Sequence, residues 1–248
     1  MIKFFRKIRQ RLLSENKTGQ YLKYAIGEII LVVIGILIAL QINNWNEQSK
    51  ERKKEEAFLK EINLDFKSNK AQLDSIIDFN RVNFNACKKV LNAIGNFNLK
   101  NPEVNESNSH FTDSIKNYYP LIWRNKSFNP KNGAVEALLN SSSFDLIKND
   151  TLRRSLISWK DVLGDYLEEE EFAINFLFNE YQPWRRANFD PDLTDDPQYA
   201  TAFFSKTHRN FINQRTGDLA NNLTTVEEEG VVRMINEIIR LTEPKGED

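Results

Sequence analysis

Residues able to do chemistry are sparse in this chain of 248 residues. Its two histidines, His110 and His208, lie in different segments, and neither has a second histidine or a cysteine at helical spacing. The single Cys87 excludes an internal disulfide framework and any multi-cysteine metal site. H-E-x-x-H, phosphate-loop and G-x-S-x-G patterns are absent. Asp190-Pro191-Asp192-Leu193-Thr194-Asp195-Asp196 is acidic enough to suggest calcium. It lacks the glycine at loop position 6, however, and carries Thr201 where a bidentate glutamate belongs. The sequence therefore assigns no catalytic residue, no metal and no cofactor, and a non-enzymatic protein is expected.

Two constellations remain. Trp184-Arg185-Arg186, with Trp123-Arg124, combines indole faces and guanidinium groups and suits recognition of a partner surface. Glu28 is a carboxylate at the edge of the most apolar stretch of the chain, where a charge facing lipid is costly.

That stretch sets the class of the protein. The whole chain carries 34 Lys+Arg against 35 Asp+Glu and a mean hydropathy of −0.55, values typical of a water-soluble domain with no bias toward nucleic acid. The averages conceal an asymmetry. Residues 1–23 hold seven Lys/Arg and one Glu, whereas the remainder holds 27 Lys/Arg and 34 Asp/Glu. Between Glu28 and Glu47 lie 18 residues with no charge, and Ile29–Leu40 is apolar on every helical face. Within a membrane helix placed at residues 21–46, the 19 residues from Tyr24 to Ile42, at about 1.5 Å each, cover roughly 30 Å of hydrocarbon. Tyr21, Tyr24 and Trp45 flank it as interface anchors. The long pre-hydrophobic region and the lack of a small-residue cleavage site favour an uncleaved anchor over a signal peptide.

Residues 1–20 read as a basic amphipathic cytoplasmic tail lying on anionic lipid, with Met1, Phe5, Ile8 and Leu12 on one face. Six Lys/Arg precede the span within twenty residues and five follow it, and Lys23 abuts it. The expected orientation is N-terminus inside, with residues 47–248 across the membrane. Glu28, Gly35 and Ala39 share one stripe of the span. The small pair permits close helix approach, so this stripe is a candidate seam for self-association. Snorkelling of Glu28 to the interface is the alternative.

The run Gly27-Glu28-Ile29-Ile30-Leu31-Val32-Val33-Ile34-Gly35-Ile36-Leu37-Ile38-Ala39-Leu40-Gln41-Ile42-Asn43-Asn44-Trp45-Asn46-Glu47 resembles the hallmark segment of an uncharacterised family of Bacteroidota (flavobacterial-type) single-pass membrane proteins. The resemblance covers about residues 20–47. It implies an inner-membrane protein with a helical domain of unknown function, and it brings no reaction or catalytic residue.

Beyond the span, Leu59, Ile62, Phe66, Asn69, Leu73, Ile76, Asn80, Asn83, Cys87, Val90 and Ile94 follow a 3-4 spacing, which predicts one long amphipathic helix continuing the membrane segment. Its three Asn suit a bundle better than a two-stranded coiled coil, or else fix register in an oligomer. Residues 96–109 and 125–133 read as loops. Short helices are expected over Asp113–Tyr119, stopped by Pro120, and Ala134–Leu139. A second long helix should run from Thr151 to about Tyr181, with Asp150 as N-cap and Pro183 as terminator. A third should run from Asp196-Pro197 to about Arg215, and a last one from about Val226 to Thr242.

The expected fold is all-α: a single membrane helix continuing into a long helix, plus an extramembrane helical bundle. The expected role is a membrane-anchored interaction or scaffold protein whose partners are membrane lipids and either a second copy or another membrane protein. A periplasmic ligand-sensing bundle acting through a partner, or an accessory pore with a ring of Glu28, are the alternatives.

Overall fold

The computed structural model describes residues 18–96, 107–189, 201–228 and 230–244, and it is all-α, with no strand among the described residues. Residues 1–17 of the basic tail and Asp190–Asp196 lie outside the described residues. The first helix, α1, spans Thr18–Asn96 and carries both the apolar stretch and the 3-4 stripe. The chain divides into two units, Met1–Glu56 and Ala57–Asp248.

In the first unit, α1 is long and apolar enough to cross a membrane, and none of its most apolar window is buried. Leu31 is 67% exposed and Leu37 58%. A helix apolar all round that buries nothing has no stable place in water, and lipid is the solvent that suits it.

The second unit inverts this pattern. Ile62, Phe66, Leu73, Ile76, Cys87 and Val90 are all but fully buried, as are Asn69 and Asn83, so the 3-4 stripe is the wall of a core. Around it stand α2 (Ser107–Ile122), α3 (Gly133–Leu139), α4 (Asp150–Asn175), α5 (Gln182–Asn188), α6 (Lys206–Glu228) and α7 (Val231–Thr242). One core cluster joins α1 to Val135 and Leu138 of α3, Leu152, Leu156 and Trp159 of α4, and Ile235 and Ile238 of α7. Phe66 and Trp159 meet at its centre with rings 4.9 Å apart. A second cluster joins Ala86, Cys87 and Val90 to Ile122, Phe203, Ile212 and Leu219.

Several boundaries differ from the sequence expectation. The helix around Asp113 begins at Ser107 and runs through Pro120 to Ile122. A proline in the last turn removes only one hydrogen bond before the helix closes. Asn149, not Asp150, caps α4: its Oδ1 accepts from the N–H of Thr151 at 3.0 Å and of Leu152 at 3.1 Å. Pro183 does not terminate the helix. It sits in the first turn of α5, where a missing N–H costs little, and helix continues to Asn188. The helix expected from Asp196-Pro197 to about Arg215 is interrupted at Phe204-Ser205; α6 starts at Lys206 and continues past Arg215 to Glu228. The break falls instead at Gly230, whose φ of 101° lies in the left-handed region that favours glycine.

Candidate functional site

Between α4 and α5 the chain makes a single π-helical turn, Phe176–Tyr181, which buries Phe176, Leu177 and Tyr181. Such turns shift the facing of the residues that follow, and they recur at functional sites. Here the shift delivers Tyr181 and Trp184 to an aromatic cluster centred on His208 of α6. Tyr181 stacks on Trp123 with centroids 3.4 Å apart and planes 10° from parallel. Trp184 stacks on His208 at 5.3 Å and 17°. Tyr119, Phe189 and Phe203 close on the imidazole edge-on at 5.5, 5.5 and 5.0 Å. The two tryptophans that the sequence proposed for recognition are thus brought together. Arg185 and Arg186 remain exposed in the last turn of α5.

His208 is fully buried, and its hydrogen bonds fix its tautomer. Nδ1 lies 2.7 Å from the carbonyl of Phe203, which only accepts, so Nδ1 carries the proton. Nε2 then accepts from the Tyr119 hydroxyl at 2.9 Å, and the Tyr119 oxygen accepts from Tyr181 at 3.3 Å. Burial pushes the imidazole below its usual range, against the Phe203 carbonyl, which favours the charged form. Both ring nitrogens are therefore engaged in holding three elements together. This geometry positions Tyr119, Tyr181 and Trp184 rather than offering a free base.

A second polar system lies beside it on the same face of α6. Arg215 is fully buried; its Nε donates to the carbonyl of Ile122 at 3.1 Å and its Nη2 to that of Arg124 at 2.8 Å. A cation on the last carbonyls of α2 suits the negative end of that helix. Asn83 donates to the Arg124 carbonyl as well. From there residues 124–132 run without helix, and side chains of the core satisfy their backbone. Glu170 accepts from the N–H of Phe128 with both oxygens, at 3.0 and 3.2 Å. Asn69 accepts from the N–H of Lys131 at 2.7 Å and donates to its carbonyl at 2.9 Å. The Asn132 side chain accepts from the Trp159 indole at 2.9 Å. Asn69 and Asn83 of α1 thus serve an irregular segment whose backbone groups would otherwise be orphaned, whereas Asn63 donates to the Ile239 carbonyl and the Thr242 hydroxyl of α7.

Buried carboxyls shift accordingly. Burial raises Glu170, against the Phe128 N–H and the Tyr166 hydroxyl. Burial also raises Asp218, whose Gln214 hydrogen bond and Arg215 neighbour act in the opposite sense. Burial pushes the Cys87 thiol up to about 11, which makes it unreactive.

The other sequence candidates stay apart from this site. Tyr24 and Trp45 are exposed on α1, and the Tyr21 side chain lies outside the described residues. Gly35 and Ala39 are exposed, and a Cβ at Gly35 would meet nothing within 4 Å, so that face of the span is open. Among the described residues no group of His, Cys, Asp and Glu could hold a metal ion. The His110 side chain lies outside the described residues. Sequence reasoning weighed His208 only as a metal ligand, and it gave Tyr119, Tyr181, Glu170 and Arg215 no part in a site. Arg215 left a signal: it stands on the 3-4 stripe His208, Ile212, Arg215, Leu219, Asn222, Val226, all of it buried.

Residues 28–120 match the model of a family of unknown function, DUF6090. The match begins at Glu28, takes in the apolar stretch and the core stripe of α1, and ends at Pro120 in α2, so Trp123, Tyr181, Trp184 and His208 lie beyond it. No curated protein and no solved structure matches the chain.

Proposed function

We propose that this is a non-enzymatic, membrane-anchored interaction or scaffold protein of a flavobacterial-type inner membrane, self-associating through its span, with the helical unit on the periplasmic side. The observation that carries the reading is α1. One helix holds both an apolar stretch that buries nothing and the stripe that closes the core. Whatever the core unit binds is thereby tethered to the bilayer. The stripe of Glu28, Gly35 and Ala39 supports self-association, because small residues let two spans approach closely. Lys23 against the span, with six preceding positive charges to five following, supports an N-terminus inside.

Oxidative cross-linking of Gly35→Cys in native membranes tests the seam: a disulfide dimer is expected, and monomer throughout overturns self-association. A topology reporter fused after Asp248 tests orientation. Periplasmic activity is expected, and cytoplasmic activity overturns the assignment.

A second reading, a ligand-sensing bundle acting through a partner, is favoured by one observation. Trp184 of the aromatic cluster also lines an open cleft of about 370 Å³ with Asn188, Thr201, Ala202, Ser205 and Thr207. That volume is within the usual range of small-molecule sites.

A further inference from the structure

The irregular segment between α2 and α3 ends in Asn132-Gly133, the only Asn-Gly pair of the chain. Such a pair carries a chemistry of its own. With no Cβ on the following residue, the Gly133 nitrogen is open to approach and can attack Cγ of the Asn132 carboxamide. The N–Cγ bond forms, the Cγ–Nδ2 bond breaks, and the Gly133 N–H proton leaves with the amide nitrogen as ammonia. Water then opens the five-membered imide at either carbonyl, giving aspartate or isoaspartate. Nothing is oxidised or reduced. Neither packing nor backbone asks for glycine at this position. A Cβ on Gly133 would meet nothing within 4 Å, and its φ is not in the left-handed region.

The fold holds the pair away from that reaction. Ring closure needs the Gly133 nitrogen eclipsed with Cβ of Asn132. At the observed ψ of 0° it is eclipsed with the Asn132 backbone nitrogen instead, roughly a third of a turn away. Rotation about that bond swings the Asn132 carbonyl, which accepts from the Glu136 N–H at 2.9 Å. Moving Cγ toward Gly133 withdraws Oδ1 from the Trp159 indole, 2.9 Å away. Both flanks are pinned as well. Asn69 holds the N–H and the carbonyl of Lys131, and Asp65 accepts from the Ala134 N–H at 3.4 Å. These latches come from α1, α3 and α4, so ring closure requires a local opening of the segment.

We propose that Asn132 is a site of spontaneous modification gated by the fold: it deamidates through the Gly133 nitrogen only when residues 131–134 leave these latches. Isoaspartate lengthens the main chain between Lys131 and Ala134 by one methylene. Asn69 and Asp65 stand one turn apart on α1, so both latches cannot re-form in register. A brief opening thereby becomes a permanent one.

The test is peptide mass spectrometry on the full chain in detergent at mildly alkaline pH, beside a synthetic peptide of residues 127–138. The peptide should convert to aspartate and isoaspartate. The folded chain should convert at least about tenfold more slowly, an opening cost of about 1.4 kcal/mol or more. Asn69→Ala frees both backbone groups of Lys131 and should speed the folded chain at least about fivefold. Gly133→Ala should slow conversion in chain and peptide alike without lowering the unfolding temperature. If Asn69→Ala fails to fold, Asp65→Ala carries the test, because it frees only the Ala134 N–H and must still speed conversion. A folded chain that converts as fast as the peptide overturns the gate. Conversion that the latch variants leave unchanged overturns the role of the latches. Conversion indifferent to Gly133→Ala overturns the route through the Gly133 nitrogen.

Discussion

Two stretches of α1 are put to opposite ends. Ile29–Leu40 and Leu59–Ile94 belong to one helix, the first without a charge and the second with ten. The first is apolar on every face, and its large side chains are roughly half exposed or more; the second is apolar on one stripe, which is buried. The lesson is that the amount and the period of hydrophobicity together select the solvent. An all-round pattern calls for lipid, and a 3-4 stripe calls for other helices.

The comparison breaks hardest at the centre of the core. Phe66→Ala removes the ring that meets Trp159 and should cost about 3–5 kcal/mol. Thermal unfolding should register this loss while the chain stays in the membrane fraction. Loss of membrane retention would show that the two stretches are not independent.

A charge placed in each stretch sharpens it next. Val33→Arg should cost about 2.5–3.5 kcal/mol of insertion, read as release into the soluble or aggregated fraction. Val82 is 55% exposed on the outer face of the same helix, and Val82→Arg should stay within about 0.5 kcal/mol. Equal effects at the two sites would contradict the distinction.

A smaller effect tests the polar part of the stripe. Asn69→Ala strands the N–H and carbonyl of Lys131 and should cost about 1–3 kcal/mol, measured by denaturant unfolding. A neutral result would return the buried asparagines to the alternative of register control between copies.

The pH dependence is the subtlest. The folded-state value of His208 is lowered, so its contribution is full above its unfolded value near 6.5 and is lost as pH falls below it. The folded-state value of Glu170 is raised, so its contribution is full below its unfolded value near 4.5 and is lost as pH rises. His208→Gln should therefore remove the loss of stability as pH falls below about 6.5, and Glu170→Gln the loss that sets in as pH rises above about 4.5. An unchanged profile in either variant would contradict the burial assigned to that group.

Much of the fold was legible because α1 is strictly periodic. Ten of the eleven stripe positions, from Ile62 to Ile94, are buried as spaced. What the pattern misjudged were local stops. Pro120 and Pro183 read as terminators, but at a last turn and a first turn a proline loses little. Gly230, at φ 101°, was the true break between the last two helices. The site was half legible. Trp123 and Trp184 were marked by their neighbouring arginines, yet the arginines stay in solvent while His208 and Tyr181 join the cluster. Nothing in residue spacing announces a π-helical turn, which depends on how α4 meets α6. Asn69, Asn83 and Arg215 act on residues 41 to 93 positions away in sequence, a pairing that only the folded chain displays.

The central claim is that one helix serves two solvents. It is tested most directly by labelling single cysteines at Val33 and Val82 in nanodiscs, where both faces of the bilayer are open to reagent. Native Cys87 is buried, with its thiol pushed up to about 11, and serves as the unlabelled background. A membrane-impermeant maleimide should modify Val82→Cys rapidly and leave Val33→Cys unmodified until detergent is added. Equal labelling of both positions before detergent would contradict the account.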